Sequence, residues 1–299
     1  MRAVAFCVSL VAITTSLTAD EPTDALATDR LVEIVSAAQS NYERIETLTA
    51  TYTWHETMPN RQPRDGYVDL VWDQQNSRFR SAFHIDELVY DTITTTSEFV
   101  RLGPGKKETF PSAESRKYWS ADVFSPVRLF GTQDEPLWQS LQAYTTWPEA
   151  NDRISITSSA EGDDLIYTMR MHYIGHGETN VYVTKTFAKA NAFNPTLIVR
   201  SKGTAPSAAN LIDVTAWTYG TINGVVIRKS ISVWNFDERT GAPVMHRRVH
   251  LTFATVNEAF GESAFDKEVP LSIDRPTPIA DSPRPSSFFA PDLSVPPGK

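Results

Sequence analysis

Residues 31–53 read LVEIVSAAQSNYERIETLTATYT, and the spacing of the apolar residues changes inside them. Leu31, Ile34, Val35, Ala38, Tyr42, Ile45 and Leu48 recur at intervals of three and four, which places them on one stripe of a helix predicted over 31–48. Thr28 stands where a helix cap belongs, just before Asp29-Arg30. Glu33, Gln39, Ser40, Glu43 and Arg44 fall mostly on the other side. From Thr49 the period drops to two. Threonine alternates with Ala50, Tyr52 and Trp54, and both residue types favour strands. A lone helix of this length is marginal in water, so the stripe must pack on something.

Beyond Trp54 the chain is almost all strand-like. Val68, Leu70 and Trp72 share a face, then Phe79, Ser81, Phe83 and Ile85, with Arg78, Arg80 and His84 opposite. Further strands are predicted at 88–95 and 98–102, ended by the turn Gly103-Pro104-Gly105-Lys106. The rhythm breaks between Tyr118 and Tyr144. There Ser125-Pro126 is a start signal, and Leu137, Trp138, Leu141 and Tyr144 return to helical spacing, so one or two short helices are expected. Strands resume at 154–156, 165–173, 181–187, 195–201, 212–219, 225–236 and 244–256, with Ile222-Asn223-Gly224 as a hairpin signal. In 165–173 the side chains of Leu165, Tyr167, Met169, Met171 and Tyr173 share one face. After Ile273 the chain holds seven prolines, and Asp274–Lys299 is expected to be extended rather than packed.

The ends and the composition bound the rest. Arg2, an apolar stretch at 3–17 and Thr18-Ala19 read as an export signal over 1–19, leaving one domain over 20–273 and the tail at 274–299. No later segment approaches the roughly 20 apolar residues of a membrane-spanning helix. Cys7, the only cysteine, lies in the signal, so the exported chain would hold no disulfide, thiol nucleophile or cysteine–zinc site. Loss of Arg2 takes the formal charge from −8 to −9, which argues against nucleic acid as a partner.

No constellation of catalytic residues stands out. His172 and His176 are four apart, as are His246 and His250; on a strand that spacing separates two rings by about 13 Å, too far for one ion. His246, Arg248 and His250 read instead as a polar sheet face. Asp163-Asp164, Asp86-Glu87 and Glu238 fall in turns and read as solvated loop charge rather than a glycosidase pair. There is no Gly-x-Ser-x-Gly elbow and no phosphate-cradling glycine loop. Neither a metal nor a cofactor is implied, and the chain does not read as an enzyme.

Four local stretches, in this order, resemble the LolA/LolB-like superfamily of periplasmic lipoprotein carriers and receptors. They are 31–53; Asp69-Leu70-Val71-Trp72 followed by Asn76-Ser77-Arg78-Phe79-Arg80; Asn223-Gly224-Val225-Val226-Ile227 followed by Ser230-Ile231-Ser232-Val233; and Val256-Asn257 with Phe265 after it. The resemblance implies an α+β fold: a curved antiparallel β-sheet, or incomplete β-barrel, with N-terminal and mid-chain helices as a lid. It implies a protein of the periplasm that holds a lipid, or the acyl chains of a lipoprotein, between sheet and helices. One departure is local. The turn Asp73-Gln74-Gln75-Asn76 stands where the family's carrier has basic residues.

Methionines and aromatics adapt to irregular apolar ligands, which makes Leu70, Trp72, Phe83, Leu165, Tyr167, Met169 and Met171 the candidate cavity residues. The bland alternative is that they are ordinary core beneath the first helix. The rival functional reading is an envelope sensor or protein-interaction module of the same fold without lipid, its contact carried by a sheet edge or by the proline-rich tail.

Overall fold

The structure is a computed structural model that describes residues 23–85, 87–111, 154–161, 164–174, 180–203, 210–237 and 239–273. One helix, α1 (Thr23–Glu43), precedes β1 (Thr47–Thr57), β2 (Arg64–Asp73), β3 (Arg78–Ile85), β4 (Leu88–Thr94), β5 (Glu98–Gly103) and β6 (Lys106–Pro111). After the span of the predicted mid-chain helices come β7 (Ile154–Glu161), β8 (Asp164–Ile174), β9 (Asn180–Ala188), β10 (Pro195–Lys202), β11 (Leu211–Ile222), β12 (Val225–Phe236) and β13 (Pro243–Val256). The predicted export signal, the helices of 118–144 and the tail from Asp274 lie outside the described residues.

Among the described residues all 13 strands form one antiparallel sheet, in the order β6-β5-β4-β3-β2-β1-β13-β12-β11-β10-β9-β8-β7. The sheet is curved and does not close. Every strand neighbours its successor in sequence except β6 and β7, and the two arms join at the centre, where the first strand pairs with the last from Leu48↔Val256 to Thr57↔His246. The two edges, β6 and β7, come from the middle of the chain. Lys106, Lys107 and Pro111 blunt the β6 edge against further pairing. The β11–β12 connection is the expected Asn-Gly hairpin, with both Asn223 (φ 49°) and Gly224 (φ 74°) left-handed.

α1 lies on the inner face of this sheet. Leu31, Ile34 and Val35 bury themselves against Ile156, Tyr167, Met169, Met171, Val183 and Phe187 of β7–β9. At its other end Tyr42, with Ile45 just beyond, packs on Leu48, Tyr52, Trp72 and Phe79. The helix therefore crosses from the β7–β9 side of the sheet to its central seam.

On the outer face the chain after β13 crosses the region of β1–β3 and β13. This strap holds the short 3₁₀ turn Glu262–Phe265, and with Thr49, Val71, Phe253 and Thr255 of the sheet it lines a partly open cleft of about 400 Å³. Arg80, 1% exposed, pins it. Its guanidinium donates to the carbonyls of Ala264 (3.1 Å), Asp266 (2.9 Å) and Val269 (2.7 Å), and is paired on the sheet with Asp91. At the strap's start Asn257, left-handed at φ 60°, accepts from the Glu46 and Thr47 amides and donates to the Arg44 carbonyl, tying the end of β13 to the helix–strand corner.

Three expectations need correction. The helix occupies Thr23–Glu43 rather than 31–48. Ile45 and Leu48 are buried as the stripe requires, but in the turn and in β1. The same apolar surface continues beneath both elements, so periodicity alone overruns the end. β6 is a strand that the pattern does not predict, because Lys-Lys-Glu-Thr-Phe-Pro carries no alternation; pairing to β5 makes it one. β7 runs past 156 to Glu161, since its Thr-Ser-Ser-Ala stretch is held by the β8 ladder rather than by its own propensity.

Candidate functional site

Antiparallel pairing puts directly opposed residues on one face, so the register maps the inner surface row by row. One row runs Met169–Lys185–Ile198–Thr215–Val233–Arg247–Glu56 across β8, β9, β10, β11, β12, β13 and β1. The next row carries Met171–Val183–Arg200–Asp213–Asn235–Met245. A third holds Trp217–Ile231–Val249–Trp54, with Gly66 beyond on β2. The third row is apolar, whereas Lys185 and the Arg247–Glu56 pair interrupt the first and Arg200, Asp213 and Asn235 the second. Arg200 Nε donates to Asp213 at 2.6 Å, and Arg247 pairs with Glu56. Burial, with the neighbouring Arg200 charge, pulls the Lys185 ammonium down to about 8.

The candidate residues lie on this face but in two groups. Leu70 and Trp72 are buried in the cluster at the seam, and Tyr42 of α1 packs its ring 5.4 Å from that of Trp72. Phe83 stacks on Trp54 at 5.1 Å. Tyr167, Met169 and Met171, with half-buried Leu165, belong to the second cluster, under the first half of α1. The polar band around Lys185, Arg200 and Asp213 separates the two. Sequence reading missed Trp54, Trp217 and this band.

Among the described residues the helix is clasped by few polar contacts. Arg30 Nη1 donates to the Ile156 carbonyl on β7 at 2.6 Å, and the Tyr167 hydroxyl donates to the Glu33 carboxylate at 2.5 Å. Burial and that carboxylate push the Tyr167 phenol up. At the other end the sheet itself parts. The β12–β13 ladder runs only from Phe236 to Ser230; beyond it β13 stays with β1. Asn41 enters the split, its Nδ2 donating to the Val226 carbonyl at 2.9 Å and its Oδ1 accepting the Val226 amide at 2.8 Å. The Tyr52 hydroxyl donates to the Arg228 carbonyl beside it at 3.1 Å. Among the described residues neither the Trp54 nor the Trp217 indole N–H has an acceptor. Gly66 makes room for the first of these, since a Cβ there would run into the Trp54 indole and the His84 carbonyl.

The histidines are committed elsewhere. His246 is buried and stacks on Trp234 at 4.8 Å, and His172 stacks on Tyr182 at 4.7 Å. The register puts His246, Arg248 and His250 together on the outer face. His55 bonds Asp65 at 2.6 Å, an exposed cross-strand pair, and its other strand neighbour is Arg248. Among the described residues no three His, Asp or Glu gather to hold a metal. Asp73, in the turn where the carrier's basic residues would fall, is buried. Burial alone would raise its carboxyl, but hydrogen bonds from Arg78 and Asn76 outweigh this and hold it below the usual range. The Arg78 guanidinium also sits 4.5 Å over the Phe265 ring, so this turn is bound to the strap.

His246 gives the fold a measurable acid sensitivity. Burial first, then Arg248 and His55, bring its imidazole down to about 4. The unfolded chain takes that proton near pH 6.5, so between the two values the unfolded state binds more protons and stability falls as pH falls, by up to about 3 kcal/mol. Urea midpoints at pH 7 and pH 4.5 are expected to differ less in His246→Phe than in the parent. An unchanged difference refutes the assignment.

No protein-family model matches the sequence, and no curated protein matches it. Among solved structures the chain is similar to a DUF1329 family protein from Desulfovibrio piger, at 7% identity over 81% of this chain and 98% of that one, with a TM-score of 0.47. It is similar to a LolA superfamily protein from Nitrosomonas europaea, at 9% identity over 77% and 98%, TM-score 0.43. The lipoprotein LppX of Mycobacterium tuberculosis is a third, at 6% identity over 78% and 98%, TM-score 0.31. The likeness is one of fold.

Proposed function

We propose that the protein binds rather than catalyses, holding an acyl chain of a lipid or lipoprotein between the inner face and α1, and that it does so as an exported protein of the cell envelope. One observation carries the reading: the two apolar clusters lie on a single face of an open sheet, roofed among the described residues by one helix with a handful of polar ties. Lifting such a helix exposes apolar surface that an acyl chain can cover, at about 0.8 kcal/mol per methylene buried. The indole N–H groups of Trp54 and Trp217, without an acceptor among the described residues, suit the ester or amide carbonyls of an acylated molecule. No helix among the described residues is long and apolar enough to cross a membrane.

Organic extraction of protein purified from its envelope fraction, followed by mass spectrometry, is expected to yield an acyl lipid near one per chain. Fatty acid added to the stripped protein is expected to quench tryptophan fluorescence saturably. Protein that is empty on extraction and inert to fatty acids removes the proposal.

A further inference from the structure

We infer that the acyl group is carried as a neutral ester or amide, and that its carbonyl accepts the Trp54 indole N–H on the β1–β4 part of the inner face. The inference rests on the lipid-binding reading and adds the chemical class of the linkage and the residue that selects it. Trp54 is 6% exposed, and its Nε1 is a buried donor without an acceptor among the described residues. An indole nitrogen can only donate. A buried donor left unmatched is costly and rare in folded proteins. An acceptor that reaches it gains a hydrogen bond without stripping water from the donor, because folding has already done so.

The surroundings of that N–H are apolar and lead to solvent. The register sets two inward rows side by side, Trp54–Gly66–Ile85–Leu88 and Tyr52–Val68–Phe83–Tyr90. The indole lies over Gly66, where no side chain intervenes, and stacks on the Phe83 ring. Phe83 and Ile85 are half-buried, while Leu88 and Tyr90 are each 43% exposed. An apolar track thus runs from the rim of the sheet at β4 to a buried donor on β1. α1 meets this arm elsewhere, through Tyr42 on Trp72, two inward positions along β2 from Val68. A chain lying along the track reaches the indole edge once the half-buried Phe83 ring turns aside. The donor also sets the class. A carboxylate would shed its water for a single neutral hydrogen bond, which costs more than it returns; an ester or amide carbonyl has far less water to lose. Trp217, the other indole of this kind, stands three strands away in the same row, 5.6 Å under the Arg228 guanidinium rather than on the exposed track.

The test is direct titration of the stripped full-length protein with four probes of one chain length: methyl oleate, N-methyl oleamide, oleate, and oleyl methyl ether, which lacks the carbonyl. At least one of the ester and the amide is expected to bind about tenfold tighter than the ether and than oleate, and the stronger of the two names the linkage. Trp54→Phe keeps a ring against Phe83 and loses the N–H. It is expected to bring ester, amide and ether within about twofold of one another, whereas Trp217→Phe keeps the preference. With isotope-labelled tryptophan, the stronger carbonyl probe is expected to move one indole N–H proton resonance downfield, the ether to leave it in place, and Trp54→Phe to remove it. Equal binding of ester, amide and ether by the parent overturns the inference and leaves lipid binding standing. So do tighter binding of oleate, a preference that survives in Trp54→Phe, and a displaced resonance that Trp217→Phe removes instead. If Trp54→Phe does not fold, the parent decides: an indole spectrum that the carbonyl probes leave unmoved overturns the inference. Binding of none of the four overturns both readings.

Discussion

Arg80→Met is expected to destabilise the protein by about 3–5 kcal/mol, because it leaves the Asp91 carboxylate buried without its counter-charge. The two side chains face each other on the outer surface of β3 and β4, 1% and 9% exposed. The same guanidinium supplies hydrogen bonds to three strap carbonyls, which the methionine cannot replace. Urea unfolding measures the loss. Two further readings separate its parts. Arg80→Met with Asp91→Leu is expected to recover most of the stability, since the uncompensated charge is gone. Limited proteolysis is expected to cut between Ala259 and Ile273 faster in both variants, since the strap has lost its anchor in both. A single variant within about 1 kcal/mol of the parent contradicts the reading of Arg80 as the strap's anchor.

Asn41→Leu is expected to cost about 2–4 kcal/mol, a helix substitution that removes almost no volume. Its amide serves both the N–H and the C=O of Val226, where β12 has left β13. Asn41 is 5% exposed, so water does not readily take its place. Each buried backbone group left unmatched costs about 1–3 kcal/mol. Hydrogen exchange localises the effect: the Val226 amide is expected to lose protection selectively, while Val249 in the intact β1–β13 ladder keeps it. Gln39→Leu, two residues earlier, is the control. Among the described residues Gln39 bonds only Glu43, on an exposed turn of the helix, and its loss is expected to fall within about 0.5 kcal/mol. Equal costs for the two variants would mean that the split is not held by Asn41.

Much of the architecture is legible in the chain. Period-two alternation locates the strands of both arms, and β12 begins and ends where Val225 and Phe236 suggest. The Asn223-Gly224 hairpin comes from the two left-handed residues it needs. The candidate residues share the inner face, because alternation fixes the face of every residue on a strand once one is known. The same rule exposes Lys185 and Glu56: each continues an inward series, Val181-Val183-Lys185-Phe187 and Tyr52-Trp54-Glu56, and a charge at such a position is a signal in its own right. What could not be read is long-range. That β1 pairs with β13, that β12 parts from β13 where Asn41 enters, and that Arg80 answers carbonyls more than 180 residues away all depend on contacts between stretches with no local mark. The separation of the two apolar clusters belongs here too, since it depends on which strands are neighbours.

The pairing of first strand with last has a kinetic consequence. Each arm can zip up locally as hairpins, but the centre of the sheet must wait for residues as distant as Leu48 and Val256 to meet. Joining them closes the largest loop in the molecule, the step on which high contact order makes folding slow. Until then β1, paired with β2 on one side, keeps its other edge bare and α1 has only half its floor, so that edge stays open until nearly all the rest of the chain has arrived. The seam is therefore where a folding chaperone, or a competing chain, would find this protein open.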